Sequence, residues 1–346
     1  MTLQDAFDRF LSTIETELQE VVHPPHGSLS AYYGMMHYHL GWADERLEPL
    51  QARTGKRLRP MLCVLACQAA GGDPYHALPA AAAVELIHNF SLVHDDIQDS
   101  SHYRRGRRAV WDIWGAAQAI NVGDGLFVLA RLALHRLAGR GVPADTIVAA
   151  AAAFDRACML LCEGQYFDMT FEDRLDVDLQ QYLTMIRQKT AMLLATSTRL
   201  GAVVGTENQE TVEHLARFGE HLGMAFQIQD DILGTWGDEQ VTGKSAATDI
   251  RDKKKTLPVV YVLNHPDERY SAWQLIELYK QAGPLAQAGI EATLAILERT
   301  GARRYADAVA GEYYTRALQS LDAIDGEAEA VAALHELAQS LVGRPA

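Results

Sequence analysis

The chain has 346 residues, of which 48% are hydrophobic and 22% charged, the balance of a soluble globular protein with a sizeable core. Its formal net charge of −14 argues against a general nucleic-acid binder, and binding of a polyanion would need local Lys and Arg or metal cations. The opening MTLQDAFDRF lacks the basic start and apolar core of a secretory signal. No apolar run is expected to reach the roughly 18 residues of a membrane span, so a cytoplasmic protein without a transmembrane segment is expected.

Helical periodicity runs through nearly the whole sequence. In chain order, helices are predicted over 57–70, 76–98, 145–168, 179–204, 208–233 and 302–322, with turn-rich text at 23–28, 52–55, 70–74, 104–106, 139–143, 205–208 and 235–243. None of these breaks is a long linker, and composition does not shift along the chain. The expectation is a single all-α domain over 1–346, a helical bundle whose site is built from side chains on facing helices. The cysteines form two CxxxC pairs, Cys63/Cys67 and Cys158/Cys162. Zinc sites more often use C-x2-C spacing with His partners, so in Leu/Ala-rich text these are expected to be small buried core residues.

Charge is distributed less evenly. GKRLR (55–59) opens a predicted helix, where Gly55 and free backbone N–H groups suit a phosphate and Lys56 and Arg59 can reach one. The next long helix ends in HDDIQD. At about 100° per residue, Asp95 and Asp99 share a face one turn apart, His88 lies on the same stripe and Asp96 points about 100° away. Like charges at this spacing repel, and the helix dipole disfavours them at a C-terminus. A hard cation such as Mg²⁺ resolves both problems, taking one or two carboxylates and completing its shell with water and phosphate oxygens. A solvated acidic helix end is the plain alternative. RRGRR (104–108) follows at once, bringing Arg104 and Arg105, and Lys189 lies in helical text at RQKTA. A second acidic helix end, FQIQDDILG, places Gln227, Asp230 and Asp231 within about one turn. Lys244 follows Gly243, and Lys253, Lys254 and Lys255 follow Asp249 and Asp252. Each basic cluster taken singly is most simply a solvated face. Five of them beside two acidic ends point to two anionic groups, one held through Mg²⁺ and one directly by Lys, Arg and His. Two such ends can face each other across a cavity, which spacing leaves open.

Together these residues resemble the trans-prenyltransferases, the polyprenyl synthetase family that includes farnesyl and geranylgeranyl diphosphate synthases. The resemblance covers about residues 50–260. It runs in the family's order through GKRLRP (55–60), ELIHNFSLVHDDIQD (85–99), RRG (104–106), EGQYFDM (163–169), KTA (189–191), FQIQDD (226–231), GK (243–244) and DIRDKKKTLP (249–258). It implies an all-α isoprenoid synthase fold around a deep central cavity, usually as a homodimer. By the same resemblance, Asp95, Asp99 and Asp230 bind Mg²⁺, and Asp96 and Asp231 belong to the catalytic acidic sets. Arg104, Lys189, Gln227 and Lys244 would contact the diphosphate of an allylic substrate (dimethylallyl, geranyl or farnesyl), with Thr190 and Lys254 close by. Lys56, Arg59, His88 and Arg105 match positions that bind isopentenyl diphosphate.

Two departures stand out. Gly234 replaces the last Asp of a second DDxxD motif, with two readings open: Asp238 substitutes for it, or the site relies on Asp230 alone. GKSAATD replaces GKPxGxD, with Ala247 at a usual Gly. The implied chemistry is ionisation of the allylic diphosphate, attack by the isopentenyl double bond and loss of a proton. In the family, aromatic side chains at the positions of Phe90 and Ser91 close the pocket for the growing tail. Phe90 with a small Ser91 suggests a geranylgeranyl product, with farnesyl next. A class I terpene cyclase on the same scaffold and a non-catalytic regulatory subunit are the rival expectations; the Lys56/Arg59/His88/Arg105 set and the complete first acidic cluster favour condensation over both.

Overall fold

The computed structural model describes residues 2–50, 52, 55–237 and 247–343. The helices in order are α1 (Leu3–Val21), α2 (Ser30–Leu40), α3 (Leu58–Ala69) and α4 (Leu78–Gln98). A small hairpin follows, β1 (Tyr103–Arg104) and β2 (Arg107–Arg108), and then α5 (Val110–Trp114), α6 (Ala116–His135), α7 (Ala144–Phe171) and α8 (Leu179–Ile186). The rest are α9 (Met192–Gly205), α10 (Gln209–Trp236), α11 (Thr248–Arg251), α12 (Leu257–Asn264), α13 (Arg269–Tyr279), α14 (Gln287–Arg299), α15 (Ala302–Asp322) and α16 (Ala328–Val342). The all-α expectation holds. Contacts group the chain into two compact units. One takes the chain up to Arg156 with Thr196–Ala216 and Asp325–Leu334; the other takes Ala157–Ala195, Arg217–Ile324 and the chain from His335 onward.

In the first unit, α4 is the central helix. Every residue from Ala77 to Ile87 is buried, as expected for a helix apolar on all sides. Pro79 sits in its first turn, where a missing N–H costs nothing. α6 packs so closely along α4 that a Cβ at Gly123 would overlap the His94 ring. Further along α4 the buried face continues through Glu85, Asn89, Val93 and Asp96.

In the second unit, Met224, Ile228 and Ile232 form an apolar stripe on α10. They pack with Tyr182, Met185 and Ile186 of α8, Leu257 and Val260 of α12, and Ala306 and Ala310 of α15. A second cluster joins Val259 and Val262 to Leu275, Tyr279, Ile296 and Leu297.

Four details differ from the sequence expectations. α3 begins at Leu58, so Gly55, Lys56 and Arg57 precede the helix; Arg57 has left-handed backbone geometry (φ 49°). The helix predicted over 179–204 is divided by a π-helical turn, Arg187–Ala191. Cys63, Cys67 and Cys158 are buried, but Cys162 is exposed, because it falls on the outer face of α7. Finally, the helix Ala116–Arg140 is by length and composition apolar enough to cross a membrane, with 44% of its apolar window buried. A search for an uninterrupted apolar run misses it because Asp124 and Arg131 lie within.

Candidate active site

In the first unit the site begins with a buried guanidinium. Arg57 Nε donates to Glu15 Oε1 (2.7 Å), Nη1 to Glu85 Oε1 (2.6 Å) and Nη2 to the Leu40 carbonyl (3.3 Å). Its side chain is fully enclosed. Such a network is costly to break at one partner, since the others remain as buried charges. It therefore fixes the segment that carries Lys56 on one side and Arg59 on the other. Neither Arg57 nor Glu85 was singled out from sequence, because only their mutual burial distinguishes them.

RRGRR forms a two-residue hairpin in which Arg104 pairs with Arg107 and Tyr103 with Arg108. Arg105 (φ 53°) and Gly106 (φ 77°) are both left-handed, the signature of a type I′ turn. Glycine adopts this freely and arginine at a cost. Arg107 donates to the carbonyls of Tyr38 (3.0 Å) and Ala43 (2.6 Å), and Arg108 Nε to Asp112 (2.6 Å). These two arginines anchor the hairpin. Arg104 donates twice to Asp96 Oδ1 (2.8 and 2.6 Å). The Arg105 guanidinium lies against Gly55, where a Cβ would be 2.8 Å from Nη2.

Two imidazoles sit within this positive field. Burial, then the charges of Arg59 and Arg105, hold His88 well below the ordinary histidine range. Burial, then Arg105, Arg104 and Arg57, push His39 down to about 3. Both rings are neutral at physiological pH.

At the end of α4, Asp99 caps the helix from outside it, its N–H bonding the Asp95 carbonyl (2.8 Å). Asp99 is exposed and Asp95 half-buried; no basic residue lies in the last turn. Asp96, on the buried stripe, faces Arg104 instead, and burial raises its carboxyl against that pull. Lower on α4, Ser91 donates to the His88 carbonyl (2.8 Å). The Phe90 ring packs against Phe127 of α6 (5.3 Å) and His94 (4.7 Å).

In the second unit, Asp231 shares the core stripe of α10. It accepts the Tyr182 hydroxyl, the Leu257 N–H (2.8 Å) and Gln227 Nε2 (3.2 Å), and burial pushes its carboxyl up to about 7. Gln227 in turn accepts the Thr190 hydroxyl (2.8 Å). Asp230, about 100° round the helix from Asp231, is half-buried. Lys189 sits in the π-helical turn and pairs with Asp168 of α7. Gly164 of α7 lies under that turn: a Cβ there would overlap Lys189 N and lie 2.7 Å from its Cα. At Gly234 a Cβ would overlap Asp249 Oδ2 and lie 2.7 Å from Cγ. Asp249 also pairs with Lys254 (3.5 Å). Tyr182, Asp168 and Asp249 were missed as site residues; EGQYFDM carried the only signal for Asp168. Lys244, Gly243 and Asp238 lie outside the described residues.

The acidic groups at both helix ends offer only carboxylate oxygens, a donor set that fits Mg²⁺. Among the described residues no three His, Cys, Asp or Glu side chains converge into a cage.

The sequence profile of the polyprenyl synthetase family matches residues 41–296. The chain is 39% identical over 312 residues to a (2E,6E)-farnesyl diphosphate synthase of Mycobacterium tuberculosis, covering 89% of this chain and 85% of that one. It is 38% identical over 287 residues to a geranylgeranyl diphosphate synthase of the same organism, covering 83% and 80%. The crystal structure of geranylgeranyl pyrophosphate synthetase from Pyrococcus horikoshii superposes with a TM-score of 0.87 at 32% identity, covering 99% of both chains. With its all-α fold and a profile match over most of its length, the chain belongs to the polyprenyl synthetase family and is an enzyme of the prenyltransferase class.

Proposed function

We propose that the enzyme condenses isopentenyl diphosphate with an allylic diphosphate in a Mg²⁺-dependent reaction and releases geranylgeranyl diphosphate. The observation that carries this proposal is the cationic cluster beside the α4 acidic end. Arg59, Arg105 and Arg104 lie close enough to His88 to depress it, and buried ion pairs of Arg57 brace the segment that bears Lys56 and Arg59. A cyclase, which ionises one diphosphate, has no use for a second anion site of this kind.

Asp95, Asp99 and Asp230 would hold Mg²⁺, which supplies charge neutralisation for a departing diphosphate. Arg104, oriented by Asp96, and Lys189, set by Asp168, add fixed positive charge where negative charge develops. Gln227, Thr190, Lys244 and Lys254 complete the allylic diphosphate contacts. Lys56, Arg59, Arg105 and neutral His88 grip isopentenyl diphosphate and orient its double bond toward the allylic carbon. Bond formation leaves a cation, which loses a proton to the released diphosphate to restore the alkene. Asp231, enclosed by protein donors, holds Gln227 and Tyr182 in place instead of meeting the ion.

For product length, Phe90 turned onto Phe127 with a small Ser91 above it favours a longer tail than farnesyl. The farnesyl synthase relative supports farnesyl as the second reading. α6 also presents Ile120, Val128 and Leu132 to solvent, an apolar face that suits a second copy of the chain. The deciding experiment supplies dimethylallyl, geranyl and farnesyl diphosphates in turn with labelled isopentenyl diphosphate and Mg²⁺, followed by chromatography of the products. Geranylgeranyl diphosphate is expected. Accumulation of farnesyl diphosphate selects the second reading, and a hydrocarbon formed without isopentenyl diphosphate rejects condensation.

A further inference from the structure

The hairpin that carries the cationic cluster is held from outside by one residue of α2. Tyr38 is 3% exposed. Its hydroxyl donates to the Arg108 carbonyl (2.8 Å), its own carbonyl accepts Arg107 Nη1 (3.0 Å), and the Arg107 guanidinium lies over its ring at 3.9 Å. A cation over an aromatic face binds more strongly where water is kept away. An edge contact with Trp114 of α5 (5.1 Å) fixes the ring from another side. These contacts grip both residues of β2.

The arginines of RRGRR do not depend on this grip equally. Arg104 has its own ion pair with Asp96, and Arg108 its own with Asp112. Arg105 has no such ion pair among the described residues. Its direction comes from the turn, in left-handed backbone (φ 53°) that is unfavourable for a residue with a Cβ. Such a conformation persists only where the surroundings impose it. The hairpin supplies little of that by itself: each strand has two residues, and an isolated two-stranded hairpin is marginal in water. The same turn of α2 also reaches the other arm of the site, since the Leu40 carbonyl accepts Arg57 Nη2 (3.3 Å) beside Lys56.

We infer that Tyr38 is a positioning residue for isopentenyl diphosphate: by clamping β2 it fixes the turn that aims Arg105, and so sets affinity for that substrate while the allylic diphosphate is left to Arg104 and Asp96. That role rests on the condensation reaction proposed above.

The test is steady-state kinetics of Tyr38→Leu with geranyl and isopentenyl diphosphates, together with amide hydrogen exchange over residues 103–108. Circular dichroism and melting temperature serve as fold controls. Tyr38→Leu removes both the hydroxyl and the aromatic face. It should raise KM for isopentenyl diphosphate about tenfold, with kcat and KM for geranyl diphosphate within about threefold of the parent. Tyr38→Phe keeps the aromatic face and should restore KM for isopentenyl diphosphate to within about threefold. Exchange in the hairpin should quicken in Tyr38→Leu. An unchanged KM for isopentenyl diphosphate overturns the inference, and so does an equal rise for both substrates, the mark of a merely structural role. If Tyr38→Leu does not fold, Arg107→Lys takes its place, keeping the charge but losing the fork to two carbonyls. The same selective rise is then expected, and parental KM values overturn the inference. A parent chain that forms no prenyl product rejects the proposed reaction. Hairpin exchange then decides the clamp on its own, and equal exchange in the parent and Tyr38→Leu overturns it.

Discussion

The two acidic helix ends look alike in sequence and are built differently. At the end of α4, Asp95, Asp96 and Asp99 come from one stretch of chain. At the end of α10, Asp230 and Asp231 come from the helix, and the neighbouring carboxylate comes from Asp249 of α11. In each Asp–Asp pair the second member lies on the buried stripe. Asp96 is answered by a full charge, Arg104. Asp231 is answered by neutral donors, and burial moves it toward its protonated form. Each DD pair therefore divides in the same way: the second acid holds the frame, and the first, half-buried, is the one the proposed reaction assigns to the cation. The frame is held by an ion pair at one end and by neutral donors at the other.

The largest effect is expected where the comparison is broken outright. Asp95→Ala should lower turnover by roughly a thousandfold or more, the scale of removing a principal electrostatic contribution, with the helical circular dichroism unchanged. Near-parental activity would remove the first acidic end from the mechanism. The inner acids sharpen the contrast. Asp96→Asn should raise KM for the allylic diphosphate about tenfold, because Arg104 loses a charge-assisted anchor. Asp231→Asn should change steady-state kinetics by less than about threefold at neutral pH, since an amide oxygen still accepts the Leu257 N–H. Equal losses in the two variants would show that both frames depend on charge.

The smallest effect is one of stability. His39 has a folded-state pKa pushed down to about 3, so the unfolded chain binds a proton that the folded chain refuses. Stability is full above the ordinary histidine value and falls as pH drops toward 3. Between pH 6.5 and 5 the His39 contribution amounts to about 1.5 kcal/mol. Urea denaturation across this range should show a shallower acid limb in His39→Asn. Identical slopes would show that burial and the nearby arginines do not hold His39 neutral.

Most of the helices and both acidic ends were legible in the sequence, because 3.6-residue periodicity and the Asp spacings are local properties. The turn at Arg105-Gly106 was legible too, since glycine marks it. What could not be read is non-local. Arg57 reads as one more basic residue until Glu15 and Glu85, far apart in the chain, enclose it. Gly234 reads only as a departure from DDxxD until the Asp249 carboxylate is seen lying against it. The break at Lys189 left no signature because a π-helical turn needs no special residue, only one more residue than the helix would otherwise hold.

That widened turn has a consequence beyond its own residues. Lys189 stands where it does because the facing helix offers bare backbone at Gly164, with no methyl group to push the turn away. The direction of an ammonium group is thus decided by an uncharged atom that is not there. A sequence with every acidic and basic residue of the motifs intact, but alanine at 164, would keep the lettering of an enzyme while its lysine aimed elsewhere.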